Sequence, residues 1–196
     1  MIPTEQDRLY RSFIENLGFE VVGFMGDPDD YSTFVYKSKE KEKKRVIKIA
    51  AEGKDRDLQW QFRHVVNENE ILDRATNIPN IVRKCSYHTG QQGGYTIAAV
   101  VREFIYGRLL RDFPKVKRKL NSEQQMALEN MIRTLHQEGM ALFDIHARNI
   151  VVDRNDTPYL IDVGTALRRD KISKGYFASR VRRDLIDLDA LFEKYC

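Results

Sequence analysis

The chain has 196 residues, 42% hydrophobic and 32% charged, which suits one core or two small lobes and excludes a disordered or fibrous composition. No apolar run approaches the roughly 18–20 residues that cross a bilayer, and the start MIPTEQDRLY lacks a signal-peptide core, so a cytoplasmic protein without a membrane span is expected. A net charge of +4 favours anionic partners such as nucleotides, acidic proteins or RNA without choosing among them; Cys85 and Cys196, in no metal or disulfide spacing, read as free thiols.

Thr4 can cap a helix whose apolar positions Leu9, Phe13, Ile14 and Leu17 recur at helical spacing, with Gly18 as its stop. Phe19–Phe24 and Tyr31–Tyr36 read as strands of aromatic and β-branched residues, joined by the turn Gly26-Asp27-Pro28-Asp29-Asp30. Backbone N–H groups of that turn, with the hydroxyls of Ser32 and Thr33, could hold phosphate oxygens. The charge run Lys37–Arg45 reads as a solvated hairpin tip. Val46–Ala50 is then a short apolar strand carrying Lys48, whose ammonium needs a partner if it points inward, because an unpaired buried charge is costly. Leu58–Ala75 reads as a helix holding two acids, Glu68 and Glu70, which lie about 200° apart around its axis. Tyr95–Ile105 is a long, mostly apolar strand that ends in Arg102-Glu103-Phe104-Ile105 before Tyr106-Gly107.

The basic cluster Lys115–Lys119 reads as solvated helix surface and a possible RNA or acidic contact. Asn121 or Ser122 caps the next helix, apolar at Met126, Leu128, Met131, Ile132 and Leu135. Leu135–Ala166 then reads LHQEGMALFDIHARNIVVDRNDTPYLIDVGTA. Asp144 and Asn149 fall in a loop, Ile150–Val152 is a short strand, and a second strand, Tyr159–Ile161, delivers Asp162-Val163-Gly164. Three oxygen-bearing side chains at the tips of two short strands suit phosphoryl transfer, where a protein mainly positions reactants and neutralises charge. Asp144 would orient the attacking hydroxyl, while Asn149 and Asp162 would offer hard oxygens to magnesium. Arg168, Arg169, Lys171 and Lys174 make the following segment basic, and Arg180–Tyr195 reads as a closing helix with Leu185, Leu188, Leu191 and Phe192 on one face.

The order L-H-x-x-G, D-x-x-x-x-N, apolar strand, I-D-x-G resembles the catalytic loop and metal-binding Asp-x-Gly of the protein-kinase-like superfamily. The likeness runs from Phe19 to Tyr195 and is similar to RIO-type and other minimal atypical kinases. It implies an α+β, two-lobed fold: residues 1–105 form an antiparallel sheet plus one long helix, 102–107 a hinge, and 106–196 a reduced helical lobe. It further implies that Lys48, at the family's V-A-I-K lysine, binds the α- and β-phosphates of ATP. Glu68, followed by Ile71, Leu72 and Pro79-Asn80-Ile81-Val82, would pair with Lys48, leaving Glu70 exposed. Backbone groups of Glu103 and Ile105 would grip the adenine edge. Asp184 would anchor the catalytic loop from beneath, with His136 structural.

Departures from the family concern control and acceptor. The three-glycine phosphate loop is reduced to Gly23 and Gly26. Arg102 stands where an apolar residue usually borders the adenine pocket. Leu142 and Phe143 replace His-Arg before Asp144, which removes the partner of a phosphorylated loop, and the A-P-E motif with its later helices is missing. His146 replaces a lysine and is similar to the histidine of aminoglycoside and choline phosphotransferases. The expected function is transfer of the γ-phosphate of ATP, with Mg2+, to a serine or threonine of a protein. The alternatives are a phosphotransferase for a sugar, lipid headgroup or antibiotic, and a non-catalytic nucleotide-binding scaffold.

Overall fold

The computed structural model describes residues 5–25, 34–53, 56–142 and 144–196. Among these the chain is α+β, with four α-helices and a five-stranded antiparallel sheet as its largest element. It separates into two compact units, Met1–Asn69 with Arg83–Phe104, and Glu70–Val82 with Ile105–Cys196.

The first unit contains helix α1 (Glu5–Asn16), strands β1 (Glu20–Phe24), β2 (Phe34–Glu40) and β3 (Lys43–Glu52), most of helix α2 (Arg56–Arg74), and strands β4 (Lys84–Gln92) and β5 (Tyr95–Glu103). The sheet runs β1-β2-β3-β5-β4, every pair antiparallel. Side chains alternate between faces along a strand, and this parity sorts the core. Ile47, Ile49 and Ala51 of β3, with Ile97, Ala99 and Val101 of β5, share one apolar cluster with Tyr10, Phe13 and Ile14 of α1. Polar bonds fix α1 on that face. The Tyr10 hydroxyl accepts from Ala51 N at 2.9 Å, and the Tyr36 hydroxyl donates to Asp7 Oδ1 at 2.7 Å. Burial, then the bond to Asp7, pushes the Tyr36 hydroxyl well above its usual pKa, so it stays a donor.

Several boundaries differ from the sequence reading, each for a physical reason. The charge run Lys37–Arg45 holds the solvated hairpin tip, but strand pairing runs far into it: β2 continues to Glu40 and β3 starts at Lys43, with Lys41 at φ 54° in the turn. Ladder hydrogen bonds need only backbone, so charged residues extend a strand when their side chains reach water. Strand β4, KCSYHTGQQ, shows no apolar alternation because it is an edge strand. Its hairpin with β5 turns at Gly93-Gly94, both at positive φ, a two-residue signal visible in the sequence. Thr4 and the turn from Gly26 to Asp30, with Ser32 and Thr33, lie outside the described residues.

The second unit contains β6 (Gly107–Leu109), α3 (Ser122–Gln137), β7 (Met140–Ala141), β8 (Ile150–Asp153), β9 (Pro158–Leu160), β10 (Leu167–Arg168) and α4 (Lys174–Tyr195). Strands β6-β8-β9 form one small sheet and β10-β7 another. Asn121 caps α3 in a reciprocal capping box with Gln124. Helix α4 begins at Lys174, capped by Ser173, so the last of the basic residues Arg168, Arg169, Lys171 and Lys174 is already helical. Lys115–Lys119 is not α-helix surface. It is a single 3-10 turn, Pro114–Val116, closed by Lys117 in the left-handed conformation, with Lys115 and Arg118 paired to Asp112 and Asp156.

Gly107 has no side chain because β8 leaves no room for one: a Cβ there would overlap the Val152 carbonyl and stand 2.7 Å from Val151 Cγ1. Gly107→Ala is therefore expected to destabilise the protein by about 1–3 kcal/mol, read as a lower urea midpoint at unchanged slope. An unchanged midpoint would show that the β6–β8 approach is slack.

Candidate functional site

In the first unit three charged side chains meet on the sheet face opposite the α1 cluster. Lys48 has the opposite parity to Ile47 and Ile49, and Arg102, opposite Val46 in the β3–β5 register, stands diagonally beside it. Glu68 on α2 is fully buried, with its Oε2 2.9 Å from Lys48 Nζ and its Oε1 2.5 Å from Arg102. Lys48 is 2% exposed and Arg102 5%. Each carboxylate oxygen thus has its own cation. Glu70, two positions on and already in the second unit, is exposed and pairs with Arg168 of that same unit. Arg102, which the sequence marked only as a charge where an apolar residue usually borders the adenine pocket, is the member of this trio that local reading missed. Its signal is parity on paired strands, readable only once the β3–β5 register is known.

Glu103 is bound twice to Arg83: its N–H donates to the Arg83 carbonyl at 3.0 Å, and its Oε1 accepts from Arg83 N at 2.9 Å. Ile105 is half-buried and opens the second unit.

In the second unit the loop from Leu142 to Asn149 is tied at both ends. Asp184, 1% exposed, accepts from Leu142 N at 2.7 Å and lies 2.8 Å from His136 Nε2. Burial pushes its carboxyl above the ordinary range, opposed by the bonds from His136 and Leu142. At the other end Asn149 N donates to the His146 carbonyl, and Ile161 N donates to the Asn149 carbonyl, each at 2.9 Å. The Asn149 amide nitrogen reaches Asp144 O at 3.1 Å and Oδ2 at 3.4 Å. His146 Nε2 lies 2.9 Å from Asp144 Oδ1, and the Asp144 side chain remains 46% exposed. Asp144 is thereby oriented by two neighbours while its carboxylate stays open to a reactant.

Strand β9 ends two residues before Asp162, whose Oδ1 accepts from Gly164 N at 3.0 Å in a tight Asx turn. Val163 is buried between them. Among the described residues no group of three or more His, Cys, Asp or Glu side chains gathers as a metal cage. Asp162 and Asn149 are both hard oxygen donors, which fits magnesium: that ion takes one or two protein ligands and completes its shell with phosphate and water. With its amide nitrogen turned to Asp144, Asn149 would offer its side-chain oxygen to such an ion.

Compared with known proteins, the chain matches no protein-family model and no curated protein. Among the described residues no helix is long and apolar enough to cross a membrane.

The raised carboxyl of Asp184 gives a signed pH test. A native pKa above the unfolded value of about 3.9 contributes stability below that value, lost as pH rises through the native one. Asp184→Asn has no such loss. The stability of wild type minus that of Asp184→Asn is thus expected to shrink as pH climbs from acid, in urea titrations at a series of pH values. A difference that grows with pH would reverse the assigned direction.

Proposed function

We propose that the protein is an ATP- and magnesium-dependent kinase of the two-lobed, protein-kinase-like kind, acting on a hydroxyl of a protein serine or threonine. The single observation that carries the reading is the buried Lys48 ammonium, held on a strand by a carboxylate from the following helix. A lysine so placed has little use in a stable core but suits phosphate oxygens. The second support is the open Asp144, oriented by His146 and Asn149, in sequence register with Asp162.

In this reading Lys48 binds oxygens of the α- and β-phosphates, with Glu68 setting the direction of its ammonium. The Asp144 carboxylate accepts a hydrogen bond from the acceptor hydroxyl and receives its proton as the oxygen bonds to the γ-phosphorus and the bond to the departing diphosphate breaks. Asn149 and Asp162 would hold magnesium, which supplies neutralisation of phosphate charge. Since the Glu103 N–H is engaged by Arg83, a purine edge would meet the Glu103 carbonyl rather than its N–H.

A small-molecule acceptor is the second reading, favoured by His146 lying on Asp144 in place of a lysine. Assays of ATP consumption against a metabolite panel and against a protein lysate separate the two. In either case Asp144→Ala is expected to lower kcat by about 10²–10⁴-fold while ATP affinity, measured by calorimetry, is retained. Wild-type turnover in that variant would remove Asp144 from the chemistry.

A further inference from the structure

In a pair consisting only of Lys48 and Glu68, an arriving phosphate would compete with the carboxylate for the ammonium. A buried carboxylate deprived of its cation is strongly destabilising, so that competition would penalise ligand binding. Glu68 is not in that position. Its Oε1 carries Arg102 at 2.5 Å, independent of the Oε2 that faces Lys48 at 2.9 Å. Both cations come from adjacent strands of one sheet and the acid from α2, so either cation alone ties β3 or β5 to the helix.

We infer that Arg102 is a positioning residue for the phosphate site: it keeps Glu68 paired and α2 in place while Lys48 turns toward an anionic phosphoryl ligand. The guanidinium suits this role because it is always charged and rigid, whereas the ammonium on its flexible stem can be shared between carboxylate and phosphate. The inference deepens the proposed function and rests on it for the identity of the ligand. Its structural half, two cations serving one carboxylate, rests on the first unit alone.

Two measurements decide it. The first is a stability cycle in urea with wild type, Lys48→Met, Arg102→Met and the double variant. Each single change leaves Glu68 with one cation, so both single variants are expected to fold with modestly lower midpoints. The double variant strands the carboxylate and is expected to lose clearly more than the sum of the singles. A double variant that fails to fold while both singles do is the extreme form of the same result, and strict additivity overturns the inference.

The second is Mg·ATP affinity by calorimetry, at a temperature where wild type and single variants are all folded. Arg102→Met makes phosphate and Glu68 compete for Lys48, and affinity is expected to fall about tenfold; Arg102→Lys is expected to recover part of it. A residue with only a structural role would lower the urea midpoint without moving the affinity of the folded protein. Wild-type affinity in Arg102→Met overturns the inference and leaves the proposed function standing. Wild type that binds no Mg·ATP overturns both.

Discussion

A fully buried carboxylate with a cation on each oxygen is the constraint around which the first unit is arranged. Three charges leave water together, at a desolvation cost of several kcal/mol per ion, and only close geometry offsets it. That geometry needs β3 beside β5, Lys48 and Arg102 on the same face, and α2 rotated so that Glu68 points at both. A one-residue slip of either strand would send its cation to the α1 face, among Ile47, Ile49 and Val101. The trio therefore specifies register more than it adds stability. Apolar side chains of similar volume would serve stability equally well; within the proposed function, the ammonium is there for the phosphate it would contact.

The second unit reaches a comparable result with weaker interactions. Its site lies on turns rather than within a sheet, and the turns are held by bonds to backbone: Asp184 on Leu142 N, Asn149 on Asp144 O, Asp162 on Gly164 N. The elements between are short, four residues in β8 and three in β9. Short strands place their ends close to where side chains must act, and the apolar residues Ile150, Val152 and Leu160 anchor them in the core. Within the proposed function, rigid support with half-exposed tips at Asp144, Asn149 and Asp162 is what a positioning catalyst requires.

How much of this was legible in the sequence follows from how local each determinant is. Periodicity sufficed for α1, α2, α3 and the apolar half of β3. Spacing along α2 put Glu68 and Glu70 on different faces, the family resemblance chose Glu68, and the structure places the first on Lys48 and the second on Arg168. Strand β4 stayed hidden because an edge strand need not alternate, and the charge run, read as a hairpin tip, hid how far the ladder enters it because solvated side chains conceal a paired backbone. The start of α4 was set six residues late, since Lys174–Ser179 carries only Phe177 as a buried anchor. Arg102 lay beyond reach for a different reason. Its meaning is a cross-strand relation, and no window along the chain holds Arg102, Lys48 and Glu68 together.

The segment after Asp162 bears on control. Leu167–Arg168 pairs with Met140–Ala141 as β10 on β7, and Arg169 N donates to the Gly139 carbonyl at 2.8 Å, where the positive φ of Gly139 turns the chain out of α3. Arg168 binds Glu70 and Asp170, and Arg74 reaches Asp170 at 3.4 Å. A loop that waits for phosphate is ordered when new charge finds an arginine. Here Arg168 is already engaged by carboxylates of its own unit, and Leu142-Phe143 rather than His-Arg precede Asp144, so the sequence offers no arginine there to receive a phosphate. Within the proposed function, fixed carboxylates thus do the ordering that a phosphate performs elsewhere, and the acceptor, rather than a modification, becomes the controlling variable.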